Sequence, residues 1–308
     1  MSSPTSRRIF FQRVAQTAAI AAGVQYALGV QAQTGTAGAP AVCVFSKHLK
    51  FQSPAGLAKT CRELKLDGVD LTVRPGGHVL PERVKADLPE AVRVIRGEGL
   101  EVPMITTALN DGQDETAQPI LETAASLGIP YFRMGGQQYV DGSPALDQLK
   151  AFTDSVRRLI AIADAVGITA GYHNHSGAGN VGGALWDLRE MIETINSPRF
   201  GSNFDVGHSV AEGAYGAWKL NTEVMAPHVK MMAVKDFAWK NNKPAWGPLG
   251  EGVVPLVEQL RIVRAAGFAG PISIHVEYDV DGDAGMIEEI RKAAQVLRKA
   301  LSDAGYPA

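Results

Sequence analysis

Short apolar runs and segments of helical spacing alternate eight times between residue 41 and the end of the chain, and this alternation constrains the fold more than any other feature. Strands that alternate with helices pair in parallel, because each helix carries the chain back to where the next strand begins. Eight such units match a closed parallel sheet with helices around it. We therefore predict the α/β class, with a single (β/α)8 TIM barrel over residues 41–308.

An open, doubly wound sheet is the alternative arrangement of the same units. It normally carries a glycine-rich dinucleotide loop after its first strand, where this chain has Phe45-Ser46-Lys47-His48. The barrel is therefore preferred. The predicted strands are 41–45, 68–73, 102–106, 131–134, 168–172, 201–204, 231–234 and 271–276. The predicted helices are 54–64, 81–98, 116–127, 146–166, 184–195, 215–225, 254–266 and 286–301.

The N-terminus has the pattern of a twin-arginine export signal. Arg7 and Arg8 precede an alanine-rich apolar stretch over 14–30, and small residues suited to a signal peptidase follow it. An uncleaved membrane anchor is the alternative, but two glutamines and two glycines make the stretch a poor span. We predict a signal peptide over 1–32, a linker over 33–40, export to the periplasm or beyond, and no stable membrane insertion after processing.

Charge and cysteine content narrow the function classes. The formal net charge is -2 and no run of lysine and arginine occurs, so nucleic acid is not an expected partner. The two cysteines, Cys43 and Cys61, fall in the first predicted strand and helix. We predict buried thiols, although a disulfide is the alternative that export would allow. Their spacing does not match a cysteine-based zinc site.

Polar side chains suited to catalysis or metal binding lie at the ends of four predicted strands. A barrel gathers the C-terminal ends of its strands on one face, where such barrels carry their active sites. We therefore expect one shared site. The four clusters are Tyr172-His173-Asn174-His175, Asn203-Phe204-Asp205-Val206-Gly207-His208, Val234-Lys235-Asp236 and His275-Val276-Glu277-Tyr278.

Two of these clusters contain pairs of residues two positions apart, which share a face of a strand. His173 and His175 form one pair, and His275 and Glu277 form the other. Together with Asp205 they offer the nitrogen and carboxylate donors of a divalent metal site. We predict His173, Asp205 and His275 as ligands, with His175 or Glu277 completing the set. The competing interpretation is that each histidine is a hydrogen-bonded core or loop residue.

The same clusters supply candidates for acid-base catalysis. Lys235 ends the seventh strand, where it could stabilise a developing oxyanion; alternatively it forms a surface pair with Asp236. Glu277 and His208 are the candidates for moving a proton. The competing interpretation of the sixth-strand cluster is that Asp205 caps a helix and His208 lies on the surface.

Four further residues are predicted to bind substrate. His175, Arg74 and Arg133 follow strand ends, and Trp246 lies in the long loop after the seventh strand, where it could stack on a sugar or simply pack the loop. The sequence contains neither a Gly-x-Ser-x-Gly elbow nor a Walker loop. Serine hydrolase and nucleotide hydrolase functions are therefore not supported.

The chain resembles the xylose isomerase-like superfamily, in its sugar phosphate isomerase/epimerase branch. The resemblance rests on the first three clusters, on Pro248–Val254 (Pro-Leu-Gly-Glu-Gly-Val-Val) and on Gly270–Tyr278. It implies one divalent metal ion, held at the C-terminal face by Glu, Asp, His and Glu from four strands. It also implies that two acid-base groups move a proton on a sugar through an enediolate.

The chain departs from this pattern at three of the four implied ligands. Asp205 matches, but His173 and His275 stand where the first and last Glu are usual, and Ala233 stands where His is usual. A site richer in imidazole favours Zn, Mn, Co or Fe over Mg. The two missing glutamates are the ones that family epimerases use for proton exchange, which brings a lyase or dehydratase into consideration.

These features predict a metal-dependent isomerase, epimerase or lyase. Its partner would be a small unphosphorylated sugar, keto-sugar or cyclitol, because export would separate the protein from most sugar phosphates; a homo-oligomer is left open. One alternative is a metal-dependent phosphodiester hydrolase of the same superfamily. Another is a non-catalytic periplasmic sugar-binding barrel that has lost its metal, which Ala233 favours.

Overall fold

The computed structural model describes residues 38–307. The predicted export signal over 1–32 and residues 33–37 of the predicted linker lie outside the described residues. None of the helices in the described part of the chain combines the length and apolar character needed to cross a bilayer.

Eight parallel strands form a closed barrel, which confirms the predicted fold class. The strands of the described chain are β1 (Val42–Phe45), β2 (Gly68–Thr72), β3 (Glu101–Thr106), β4 (Tyr131–Arg133), β5 (Thr169–His173), β6 (Phe200–Asp205), β7 (Val229–Val234), β8 (Asp236–Lys240), β9 (Lys243–Gly247) and β10 (Ile272–Ile274). The barrel order is β1-β10-β7-β6-β5-β4-β3-β2. Closure occurs at β1, because Cys43 aligns with Gly68 of β2 on one side and with Ser273 of β10 on the other.

Helices surround the barrel and cover its outer face. They are α1 (Pro54–Glu63), α2 (Val84–Gly97), α3 (Ala117–Ser126), α4 (Ala145–Val166), α5 (Trp186–Ile195), α6 (Val206–Glu212), α7 (Ala217–Met225), α8 (Leu256–Ala265) and α9 (Gly282–Asp303). In α4, Leu149, Val156 and Ile160 recur at helical spacing and are buried, so this face packs on the sheet. The helix ends at Gly167, whose φ of 84° suits a left-handed C-terminal position.

The segment after β7 differs from the prediction. The sequence pattern predicts a long loop there, whereas β8 and β9 pair as an antiparallel hairpin. Asn241 and Asn242 form its tip with φ values of 52° and 58°. Asparagine tolerates this left-handed region, so an Asn-Asn pair between two aromatic strands was the available signal.

A short helix follows β6. The preferred interpretation places no helix between Asp205 and residue 215, but α6 begins directly after Asp205, as the alternative in which Asp205 caps a helix requires. At seven residues, α6 is too short for its apolar spacing to stand out. The predicted helix over 215–225 is a 3-10 turn at Ala214–Gly216 followed by α7.

Cys43 and Cys61 are both buried and unpaired in the described structure, as predicted. Burial raises the pKa of both thiols, that of Cys61 to about 12. The thiols are therefore protonated packing residues at neutral pH.

Candidate active site

A cavity of about 420 Å³ opens at the C-terminal ends of the barrel strands, a volume suited to a small molecule. Of the ten predicted site residues, eight line it, and the other two, Asp205 and His275, are buried beside the lining histidines. The eight are Arg74, Arg133, His173, His175, His208, Lys235, Trp246 and Glu277. The structure thus brings together residues that are far apart in the sequence.

Aromatic and imidazole rings form an arc across the site. Phe45 stacks on His275 with ring centroids 4.8 Å apart, and His275 stacks on His173 at 5.8 Å. His173 meets the edge of His208 at 5.8 Å, and His208 meets Trp246 at 5.0 Å. The arc places Phe45 at one end, Trp246 at the other and three histidines between them.

Asp205, at the end of β6, uses its two carboxylate oxygens differently. Oδ1 accepts a hydrogen bond of 2.8 Å from the His208 backbone N–H and so caps α6. Oδ2 lies 3.1 Å from Lys235 Nζ and 3.6 Å from His173 Nε2. The capping role and a position in the site therefore coexist, and His208 is buried rather than on the surface.

Lys235 is buried between Asp205, His208 and Trp246 and does not form the alternative surface pair. Its Nζ lies 2.6 Å from His208 Nε2 and 4.5 Å from the Trp246 ring centroid. Burial lowers the pKa of Lys235, while the negative charges of Asp205 and Glu277 oppose that shift. An amine in this position can donate to a substrate oxygen and can give up a proton more readily than an exposed lysine.

The imidazole of His208 is neutral in this environment. Burial lowers its pKa first, and the adjacent charge of Lys235 lowers it further. Its Nδ1 lies 2.7 Å from Ser176 Oγ. Because Nε2 accepts from Lys235, the proton is assigned to Nδ1, which donates to the serine hydroxyl.

His173 and His275 are also held neutral and have unused ring nitrogens. Burial is the largest cause that lowers the pKa of each, followed by the charges of Arg133 and Lys235. Within residues 38–307, His173 Nδ1 and both nitrogens of His275 are buried without a hydrogen-bond partner. Neutral imidazoles with unpartnered nitrogens are what a divalent metal ion requires, so these residues fit the implied ion.

The donor atoms closest together belong to His173, Asp205 and His208, which lie within 4.8 Å of one another and suggest a metal site. The sequence-based set has His275 in place of His208. His208 Nε2 already contacts the amine of Lys235. His275 stacks on His173, and neither of its ring nitrogens has a hydrogen-bond partner in the described residues. The two sets share His173 and Asp205 and differ only in the third ligand.

Glu277 faces the cavity from beyond His275. Its Oε2 forms an ion pair of 2.9 Å with Lys47, and its Oε1 lies 3.8 Å from His275 Nδ1. Burial would raise the pKa of Glu277, but the hydrogen bond from Lys47 and the charges of Lys47 and Lys235 lower it overall. Glu277 is therefore an ionised carboxylate that can accept a proton.

The β8–β9 hairpin carries Trp246 to the cavity, and Asp236 fixes it there. The Asp236 carboxylate accepts backbone hydrogen bonds of 3.0 and 3.1 Å from Gly250 and Gly252, and one of 3.0 Å from Val254. Asp236 thus ties the segment Pro248–Val254 to the base of the hairpin. Its role is structural.

Four residues that line the cavity were not predicted as site residues. Phe45 ends β1, Lys47 follows it, Ser176 follows the fifth-strand cluster and Pro244 lies in β9. For Phe45, Lys47 and Ser176, a position at or just after a strand end was the only available signal; Pro244 depends on the hairpin, which was not predicted.

The arrangement described so far defines a (β/α)8 barrel with a histidine-rich polar cavity at its C-terminal face. The chain belongs to the xylose isomerase-like TIM barrel family, whose model matches residues 58–300. A comparison with curated protein sequences gives no match.

Solved structures show the same fold at low sequence identity. A xylose isomerase domain protein from Alicyclobacillus acidocaldarius subsp. acidocaldarius is 19% identical with a TM-score of 0.69, over 87% of this chain and 99% of that one. The IolI protein with a bound zinc atom is 16% identical with a TM-score of 0.69, over 86% and 99%. The 3-keto-D-glucoside 4-epimerase YcjR from E. coli is 13% identical with a TM-score of 0.65, over 85% and 99%.

Proposed function

We propose that the protein is an exported, metal-dependent isomerase, epimerase or lyase that acts on an unphosphorylated sugar, keto-sugar or cyclitol. The observation that carries this proposal is the group formed by His173, Asp205 and His208 within 4.8 Å. The group adjoins a cavity of small-molecule size at the face where barrels of this kind do chemistry. The zinc atom in the IolI structure and the activity named for YcjR support the same class.

His173 and Asp205 would hold the ion, with His275 or His208 as third ligand and His175 or Glu277 completing the shell. This donor set of imidazoles and one carboxylate favours Zn, Mn, Co or Fe over Mg. When bound, a divalent ion would polarise a substrate carbonyl and lower the cost of removing the adjacent proton.

Three side chains of the protein have separate roles in the proposed proton transfer. Glu277, ionised beside Lys47, is the candidate base for a C–H proton next to a ketone. Lys235 donates from Nζ to the oxygen on which negative charge develops as the enediolate forms. His208, hydrogen-bonded to Lys235 and Ser176, is the second group able to move a proton.

The rest of the cavity would hold the sugar. Trp246 and Pro244 of the hairpin offer flat apolar surface, and His175 reaches the same cavity with its Nδ1 2.8 Å from the Ser176 carbonyl oxygen. If the carbon next to the new enediolate carries a leaving group, expulsion of that group gives a lyase rather than an epimerase. The same deprotonation step therefore covers both reaction outcomes.

Metal removal tests this function. The mature protein should lose turnover of a keto-sugar panel after chelation and recover it with Zn²⁺, Mn²⁺ or Co²⁺. Product analysis by NMR in D₂O should show deuterium at the carbon next to the carbonyl, because the proton exchanges during an enediolate reaction. Full activity in a protein shown by elemental analysis to be metal-free would rule the proposal out. Sugar binding without turnover would indicate the non-catalytic alternative.

A further inference from the structure

Two arginines contact Phe45, which forms one end of the arc of rings. The Arg74 guanidinium lies 5.1 Å and the Arg133 guanidinium 5.3 Å from the centroid of the Phe45 ring, and all three residues line the cavity. A guanidinium held on an aromatic ring keeps its N–H donors in a fixed fork. The pair is therefore a preorganised donor surface inside the cavity.

In the described part of the chain, neither arginine forms an ion pair with an acidic side chain. The other lining cations each have one, since Lys47 pairs with Glu277 and Lys235 with Asp205. Over residues 38–307, the side chains of Arg74 and Arg133 form no ion pair and no hydrogen bond, and Arg133 Nη1 is buried without a partner. Both arginines are partly exposed to the cavity, and a buried donor without a partner is costly, so their N–H groups are available to an external anion.

The charge balance of the cavity points the same way. Four cationic side chains and one carboxylate line it, although the chain as a whole has a formal net charge of -2. Burial is the largest cause that lowers the pKa of Arg133; the negative charge of Asp70 opposes this shift, and the positive charge of Arg74 adds to it. An anion that binds near both arginines would offset the repulsion between their charges.

Asp70 does not account for the pair. Its carboxylate lies within the barrel and accepts hydrogen bonds from Thr106 Oγ1 at 2.7 Å and Ser273 Oγ at 2.8 Å. Burial raises its pKa to about 6, although Arg133 and Arg74 act in the opposite direction. The arginine N–H groups are therefore still available to the cavity.

We infer that Arg74 and Arg133 form a subsite for an oxyanion carried by the substrate, so that the substrate is an acidic sugar rather than a neutral one. This inference rests on the proposed function for the sugar class and adds the charged group. A carboxylate fits the proposed unphosphorylated sugar, and a phosphate has the same chemistry toward two guanidiniums. The neutral part of the sugar would then extend from Phe45 along the three histidines toward Trp246.

Binding of three matched probes tests the inference. D-glucose, D-glucuronate and D-glucose 6-phosphate share a ring and differ in the anion, and each is titrated into the mature protein by calorimetry with and without Zn²⁺. We expect an anionic probe to bind about 10- to 100-fold more tightly than glucose, as for hydrogen bonds to a charged group. The tighter of the two anions identifies the oxyanion. Equal affinity for all three probes would overturn the inference.

Arginine variants locate the effect. Arg74→Met and Arg133→Met should each remove most of the preference, leave glucose affinity within about twofold and leave the zinc stoichiometry unchanged. Arg133→Lys should retain part of the preference, and Arg93→Met, on the exposed face of α2, should retain all of it. An undiminished preference in both methionine variants would refute the subsite. Because probe binding is read separately from metal-dependent turnover, this inference and the proposed function can fail independently.

Discussion

The buried polar groups around Asp70, Thr106 and Ser273, a region called the lower interior below, differ from those at the C-terminal mouth of the barrel in whether they have hydrogen-bond partners. In the lower interior, both oxygens of Asp70 accept hydrogen bonds from the hydroxyls of Thr106 and Ser273. At the mouth, His173, His275 and Arg133 bury nitrogens that have no partner in the described chain. The carboxylate of Asp70 is thus satisfied by neighbouring side chains, whereas the buried nitrogens named at the mouth are not.

The difference distinguishes polar groups that support the fold from polar groups that are available to a ligand. An unpartnered buried polar group costs about 1–3 kcal/mol, so a fold retains several of them only where something else offsets the cost. At the mouth, the metal ion and the oxyanion proposed above are the groups that would complete these contacts. Asp70 needs no ligand to satisfy its oxygens, and its hydroxyl partners contribute to the stability of the barrel itself.

The largest expected difference between the two regions is in metal binding. Asp205→Asn keeps the shape of the side chain but removes the negative charge that faces His173 and Lys235. Loss of a residue that only orients a metal ligand lowers metal affinity by about 10- to 100-fold. We expect a larger fall in zinc affinity here, because Asp205 would bind the ion directly. Calorimetric titration of chelator-treated protein with Zn²⁺ measures the change.

Asp70→Asn is the matched control for this variant. It makes the same chemical change at a buried carboxylate of the lower interior, and hydroxyl partners accept an amide because they can either donate or accept. Zinc affinity should stay within about twofold of the wild-type value. Equal losses in Asp70→Asn and Asp205→Asn would mean that charge anywhere in the barrel, rather than ligation at the mouth, governs metal binding.

The sequence predicted the barrel because eight apolar runs and their helices each carry a local signal. It also predicted the location of the site, since residues at strand ends must converge once the barrel closes. It could not predict that Lys235 contacts His208 Nε2 at 2.6 Å, because that contact depends on how β7 and α6 approach each other. The hairpin that carries Trp246 was missed for a different reason: its only signal was Asn241-Asn242.

The sequence also could not predict that Arg74 and Arg133 contact the same aromatic ring. Arg74 follows β2 and Arg133 ends β4, and both contact the ring of Phe45, which ends β1. Sequence spacing gave each arginine a place at the rim but no information about its partner. The charge balance of the cavity depends on which side chains the fold brings to it, and sequence spacing does not contain that information.

The buried carboxylate of Asp70 should make the stability of the protein depend on pH. Burial raises the pKa of Asp70 from its ordinary value of 3.8 to about 6 in the folded protein. Between about pH 4 and 6 the folded state therefore binds more protons than the unfolded state. The contribution of Asp70 is most favourable below about pH 4 and is lost as the pH rises through about 6, a change of about 3 kcal/mol.

Asp70→Asn removes this contribution and leaves the histidines at the mouth unchanged. The free energy of unfolding of the wild type minus that of the variant should decrease by about 3 kcal/mol from pH 4 to pH 7. Urea denaturation of both metal-free proteins across this range measures the difference, and titration of the histidines cancels in the subtraction. A difference that does not vary with pH would show that Asp70 has an ordinary pKa.

The smallest expected effects come from single polar contacts in each region. Ser273→Ala leaves Asp70 Oδ2 buried without its partner, so it should lower the free energy of unfolding by about 1–3 kcal/mol. Lys47→Met breaks the ion pair with Glu277, but the Lys47 side chain is 43% exposed, and such pairs contribute under about 1 kcal/mol. Urea denaturation at pH 7 measures both. If Lys47→Met proved the more destabilising of the two, the mouth would also support the fold, and its polar groups could not be assigned to ligand binding alone.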